Sequence, residues 1–225
     1  MIHVVSTGFA SPAKTRCLAS VRSQSCVVIH HYVEASDQDP PKSALQNRAE
    51  IVRDLRANDV VVELDGDDWF AHDGVLATVA ALYENPDLWV TYGSFRYADG
   101  RPGFAAPYET TDYRHEPWKA THLKTYRAGL FHRIKAVDLR TPEGDWMTRA
   151  IDQAVMLPLL EMAGPQHARF VPWVLYVYNF ATSVEFTTRA DITAQERAAA
   201  IEVRSRTPYS RLSSYAQGAP FDEAL

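Results

Sequence analysis

At 225 residues the chain is long enough to bury a full core and fits one large domain. Its 23 Lys and Arg against 28 Asp and Glu leave a formal net charge of -5, which removes any general electrostatic pull toward nucleic acid or an anionic membrane. Two cysteines, Cys17 and Cys26, exclude a disulfide framework and a thiolate zinc centre; with no signal-peptide pattern and no apolar run near the ~20 residues of a membrane span, the expected location is cytoplasmic.

Ile2 to Ser6 reads as a short buried strand ended by Thr7-Gly8, after which Ser11-Pro12 supplies a cap and a first-turn proline for a helix to about Gln24. Leu18 and Val21 mark its inward face. Val27 to Val33 is a second β-rich run, and Ser43 to Arg56 is a helix with Leu45, Ala49, Val52 and Leu55 on one side. Asn58-Asp59 turns the chain into the run Val60-Val61-Val62-Glu63-Leu64. The order so far is βαβαβ, the signature of a parallel sheet covered by helices on both faces. His72 to Tyr83 continues as a helix with Val79 and Leu82 inward, and Asn85-Pro86 stops it before a strand near Leu88 to Tyr92.

Arg96 to Trp118 differs in kind. It carries Asp99-Gly100, Pro102-Gly103, Pro107, Pro117 and several tyrosines, which argues for a substrate-side flap. Lys119 to Phe131 returns to helical spacing, with Leu123, Arg127 and Leu130 close to one face. Thr148 to Ala163 is a clear helix that Pro158 should kink and Gly164-Pro165 should end, Phe170 to Phe180 is an aromatic strand, and Ile192 to Arg204 is an amphipathic helix before a weakly structured tail.

The segment Leu64-Asp65-Gly66-Asp67-Asp68-Trp69 is the chemical focus. Three carboxylates around one glycine, delivered by a buried strand, repel one another unless a cation lies between them. Mg²⁺ or Mn²⁺, bound through oxygen and bridging substrate phosphates, would relieve that repulsion. An ordinary Asp-rich turn with a helix cap explains the same residues equally well.

The arrangement of features resembles the nucleotide-sugar-dependent glycosyltransferases of the GT-A fold, family 2 in particular. Cys17-Leu18-Ala19-Ser20-Val21-Arg22-Ser23-Gln24 is similar to that family's first helix, Asp65-Gly66-Asp67-Asp68 to its D-x-D-D segment, and Ile151-Asp152-Gln153 to its later acidic helix. The chain departs from the family after the second strand, where Val33-Glu34-Ala35-Ser36 offers one acid instead of two, and at Ile151, where a glutamate usually precedes the aspartate. The resemblance implies an α/β fold with a mixed, mostly parallel sheet in a single domain at 1–190, with a nucleotide half at 1–93, an acceptor half at 94–190, and a helix and tail at 191–225. It also implies inverting transfer of a sugar from a UDP-linked donor to a hydroxyl acceptor, in glycan or polysaccharide synthesis, with no nucleic-acid partner.

Roles follow from that chemistry. A cation on Asp67 neutralises the departing diphosphate. Asp65 resembles the family's ribose contact, with Gly66 beside it; Glu34 is the acid for the base, and Asn47 or Arg48 reach toward the nucleotide as the corresponding helix does in the family. Thr7 and Gly8 let backbone approach the base closely. Asp68 either joins the metal shell or caps the following helix. Asp152, near a helix start where backbone N–H groups keep it ionised, is the base for the acceptor hydroxyl, with Asp145 as runner-up. Trp118, His122, Lys124 and Arg127 form a further cluster that could meet phosphates or the acceptor, against a competing reading of Trp118 as a core anchor and His122 as a surface residue. Two alternatives compete: a nucleotidyltransferase, whose glycine-rich basic loop after the first strand is absent, and a sugar- or nucleotide-binding module without turnover.

Overall fold

A computed structural model describes residues 1–8, 12–34, 41–179 and 189–216. The order of elements is β1 (Ile2–Gly8), α1 (Ala13–Arg22), β2 (Ile29–Glu34), α2 (Ala44–Arg53), β3 (Val60–Glu63), β4 (Trp69–Phe70), α3 (Val75–Leu82), β5 (Val90–Tyr97), β6 (Lys124–Arg127), α4 (Ala128–Phe131), α5 (Ile151–His167), β7 (Ala168–Tyr178) and α6 (Arg189–Ser205). The first five match the βαβαβ reading. The expected cap Ser11, Ala35 and Ser36 of the second-strand motif, and Phe180 lie outside the described residues.

Seven strands form one sheet in the order β2-β1-β3-β6-β5-β7-β4. β1 runs parallel to β2 and β3, and β7 parallel to β5, while β6 is antiparallel to both β3 and β5 and β4 is antiparallel to β7. The sheet is therefore mixed, its parallel character concentrated in the β2-β1-β3 half, where each crossover carries a helix. Alternation along β3 explains the layering. Val61 faces one core with Val5, Leu45, Val52 and the buried side of α5, whereas Val60 and Val62 face a second core with Val4, Cys17, Leu76 and Val79. Each fully buried aliphatic side chain contributes about 1.5–3 kcal/mol, so both faces of this one strand are held firmly. No helix among the described residues is long and apolar enough to cross a membrane.

Three local expectations change. The helix expected over Lys119–Phe131 is a strand, β6, followed by a single helical turn, α4. Leu123 and Leu130 do recur at helical spacing, but the gap between β3 and β5 needs backbone hydrogen-bond donors and acceptors on both sides, and β6 fills it with register Val60↔Arg127 through Glu63↔Lys124. Pro158 lies within α5 without a break; the non-helical residue is Gly164, at φ 60° and ψ 176°, a conformation glycine tolerates and other residues do not. The tail to residue 216 packs rather than trails, with Tyr209, Leu212 and Tyr215 against the larger core.

Candidate active site at the strand tips

The C-terminal ends of β1, β2 and β3 lie side by side, where the strand direction then reverses at β6, the position at which open α/β sheets form a ligand crevice. Gly8 is in register with Glu34, and the amide of Gly66 donates to the Thr7 carbonyl at 3.0 Å. A Cβ on Gly66 would come within 2.8 Å of Gly8 Cα, and one on Gly8 within 3.0 Å of Gly66 Cα. Main chain therefore meets main chain at this point, which only glycine permits at both positions.

The three aspartates divide. Asp68 is fully buried; its Oδ1 accepts from the Asn179 amide at 2.6 Å and its Oδ2 from the Tyr176 hydroxyl. It thus ties the acidic turn to the end of β7, neither joining an open metal shell nor capping α3, whose first cap residue is Gly74. Burial, and then the charges of Asp65 and Asp67, push its carboxyl well above the usual range. Asp65 is half-exposed, its amide donating to Tyr176 Oη at 3.3 Å and its Oδ1 lying 3.8 Å from Arg48 Nη2. Asp67 is also half-exposed, and its carbonyl accepts from Asn179 Nδ2 at 3.1 Å, which fixes the turn that presents it.

Beside the acidic turn, and touching it at Asp65, stands a chain of alternating charge. Glu63, in the buried strand β3, is 1% exposed; Arg48 Nη1 lies 3.1 Å and Lys124 Nζ 3.2 Å from its Oε2, and the Tyr126 hydroxyl donates to Oε1 at 3.0 Å. Lys124, wholly buried, also grips Asp152, whose side chain is 34% exposed at the first turn of α5. Enclosure pushes the Asp152 carboxyl up, but the ammonium of Lys124, then His122 and Arg48, pull harder the other way and hold it well below the usual carboxylate range. The helix-start argument for an ionised Asp152 is thus overtaken by a nearer cause, a lysine 28 residues away in sequence. His122 is buried, stacked on the Tyr176 ring at 4.3 Å and on Tyr178 at 5.6 Å, and burial together with Lys124 brings its pKa down to about 4, so it is neutral at pH 7.

Of the residues singled out from sequence, Thr7, Gly8, Glu34, Arg48, Asp65, Gly66, Asp67, His122, Lys124 and Asp152 converge on this tip. Asn47 is buried on α2 beside Arg48. Trp118 is half-buried against the larger core. Arg127 is at the wrong end: paired with Val60 at the base of β3, it donates to the carbonyls of Leu88, Asn58 and Tyr83 and lies over the Tyr83 ring. Its role is to close the lower end of the sheet. Sequence reasoning passed over Glu63, Tyr176 and Asn179. A glutamate inside a β-branched run is itself a signal, because a buried charge requires a buried partner.

Among the described residues no three His, Cys, Asp or Glu side chains converge as a metal cage. Mg²⁺ and Mn²⁺ at phosphate-binding sites need no such cage, since one or two carboxylates, substrate phosphates and water complete their shell. An acidic turn that leaves Asp65 and Asp67 half-exposed beside each other fits a cation of that kind.

No protein-family model matches the chain, and no curated protein matches its sequence. Solved structures do match. A TarS fragment from S. aureus in complex with UDP-GlcNAc aligns with TM-score 0.58 and 13% identity over 90% of this chain and 66% of its own. The chain has a GT-A fold. A mannosyltransferase from Pyrobaculum calidifontis, in complex with GDP-Man and Mn²⁺, aligns with TM-score 0.55 and 15% identity over 92% of this chain and 65% of its own. A longer TarS structure aligns over 90% of this chain and 42% of its own, at TM-score 0.57 and 15% identity. The chain spans under two thirds of the length of each of these three structures.

Proposed function

We propose that the chain is a cation-dependent glycosyltransferase that moves a sugar from a nucleoside diphosphate to a hydroxyl acceptor with inversion, in glycan or polysaccharide synthesis. The observation that carries this reading is the buried charge network that joins the acidic turn, at Asp65, through Arg48, Glu63 and Lys124 to the half-exposed carboxylate of Asp152. The nucleoside lies over the glycine contact at the tips of β1 and β3, where neither glycine has a Cβ and the Tyr32 hydroxyl stands alongside. Asp65 and Arg48 border its ribose side. Asp67 would hold Mg²⁺ or Mn²⁺ together with the diphosphate, and the ion supplies Lewis-acid neutralisation of the charge that develops as the phosphate leaves. Lys124 adds a fixed positive charge close by.

The acceptor oxygen bonds to the anomeric carbon as the bond from that carbon to the phosphate oxygen breaks; the hydroxyl proton passes to Asp152, and the nucleoside diphosphate departs. A carboxylate held low in pKa takes the proton only late, when the oxygen has become acidic through bond formation, which is general base catalysis in a concerted displacement. Base and leaving group then occupy opposite faces of the sugar, and inversion follows.

The test is release of nucleoside diphosphate from nucleotide sugars with Mn²⁺, in the wild type and in Asp152→Asn. Turnover falling about 10²-fold or more in the variant, with donor binding retained, is the expected result. Unchanged turnover removes Asp152 as base, and binding without release even in the wild type leaves a nucleotide-sugar-binding module.

A further inference from the structure

We propose that the donor's base is guanine, read by the ion pair of Lys14 and Glu34 at the tip of β2, an assignment that rests on the donor crevice proposed above. The family resemblance alone implies uracil. The pair is built rather than incidental. Glu34 is the last residue of β2, in register with Gly8, and its side chain is only 9% exposed. Lys14, in the first turn of α1, meets Glu34 Oε2, and its ammonium lies 5.1 Å from the ring centre of Tyr32, two residues earlier on the same face of β2. The Tyr32 hydroxyl in turn lies 3.2 and 3.0 Å from where a Cβ on Gly8 or Gly66 would stand, so the ring beside the Lys14 ammonium is packed against the glycine contact. Both charges are therefore positioned before any ligand arrives.

Such a pair presents an edge of fixed order: an ammonium donor, then Oε2, then Oε1. Guanine offers the complement in the same order, with O6 as acceptor, N1–H as donor and the N2 amino group as a second donor. All three contacts are hydrogen bonds assisted by the protein's charge. Uracil matches only the first two positions, O4 and N3–H, and then sets its O2 lone pairs against Oε1. Adenine and cytosine place an amino group beside a ring acceptor and satisfy one donor and one acceptor at most. Carboxylate facing a carbonyl acts against uracil as directly as the extra donor acts for guanine.

Titrating the full chain with GDP, UDP, ADP and CDP in the presence of Mn²⁺ by calorimetry decides the matter. GDP should bind tighter than UDP by about tenfold or more, the effect of one extra charge-assisted contact, and Glu34→Gln, which sets an amide donor against guanine's donors and removes the carboxylate facing uracil O2, should weaken GDP and erase that advantage. Lys14→Met gives a second reading with the carboxylate retained, and should weaken GDP less than Glu34→Gln does. UDP equal to or tighter than GDP, or a GDP preference that survives Glu34→Gln, overturns the base assignment and leaves the crevice standing. Binding of none of the four overturns the assignment and the proposed function together.

Discussion

β6 is four residues long and carries a cation at each end, yet Lys124 and Arg127 are in opposite circumstances. Arg127 spends its guanidinium on three main-chain carbonyls, neutral groups that need a donor whatever the protein does. Lys124 faces two carboxylates, Glu63 fully enclosed and Asp152 one-third open to the crevice. Both are buried, so burial alone does not separate them. What separates them is the partner: a cation whose acceptors are carbonyls completes a fold, and a cation shared between a buried and an accessible carboxylate holds the accessible one ionised.

Arg127→Met tests the first half of that contrast most severely. Three carbonyls lose a charged donor in the interior, and unfolding by urea should show a loss on the order of 3–5 kcal/mol, with donor affinity of the remaining folded protein intact. A variant that keeps its stability but loses donor binding would place Arg127 in the site after all. His122 offers the next largest effect. Its folded pKa of about 4 lies below the ordinary 6.5, so the unfolded chain takes up a proton in this window and the folded chain does not. Stability contributed by neutral His122 is complete above pH 6.5 and drains away as the pH falls toward 4, by up to about 3 kcal/mol. His30, also brought down to about 4, adds a similar slope, and His3 and His31, lowered by burial, add to it, so melting curves of His122→Phe between pH 7 and 4.5 should lose part of the wild-type pH dependence rather than all of it. An unchanged slope would mean that His122 is not enclosed as described.

Lys124→Met sharpens the other half. Glu63 keeps Arg48 and Tyr126, and the methionine fills the space, so the fold survives. Asp152 loses the ammonium that depresses its pKa, and the acid limb of kcat/KM, which marks loss of the ionised base as the pH falls, should move to higher pH while kcat drops about 10²-fold. An acid limb that stays in place breaks the coupling between the two residues. Smallest is Gly66→Ala. The added methyl meets Gly8 Cα, the acidic turn must shift, and donor affinity should weaken by about tenfold with little change in kcat.

The sequence was most legible where chemistry and periodicity coincide. Val60 to Leu64 leading into Asp65-Gly66-Asp67-Asp68 reads as a buried strand with an acidic tip because each residue's environment is set by its neighbours in the chain, and the structure places the glycine against Gly8 as close backbone approach requires. Asp152 could be picked out as an isolated acid opening a helix, but the cause of its ionisation could not, since Lys124 was assigned to a helix and a helical Lys124 has no reason to face β3. The same holds for Asp68: read locally, it caps a helix, whereas its partners Tyr176 and Asn179 stand more than 100 residues away. Four-residue strands such as β6 exist because a sheet has a gap of the right width, and no window of sequence contains that gap.

Arg114 and Glu161, buried and joined by two hydrogen bonds from Nε and Nη2 to the carboxylate, have a practical consequence for anyone shortening the chain. Arg114 Nη1 donates to the Val203 carbonyl, Arg204 donates to the carbonyls of Arg114 and Glu116, and the Tyr209 amide donates to Glu161. Trimming at residue 190, where the pattern of the sequence invites a cut, would strip α6 from beneath the 107–118 segment and leave a guanidinium and a carboxylate bare in what had been interior. α6 rivets the 107–118 segment to the rest of the fold, and removing it should loosen a loop nearly ninety positions upstream before it touches anything at the strand tips.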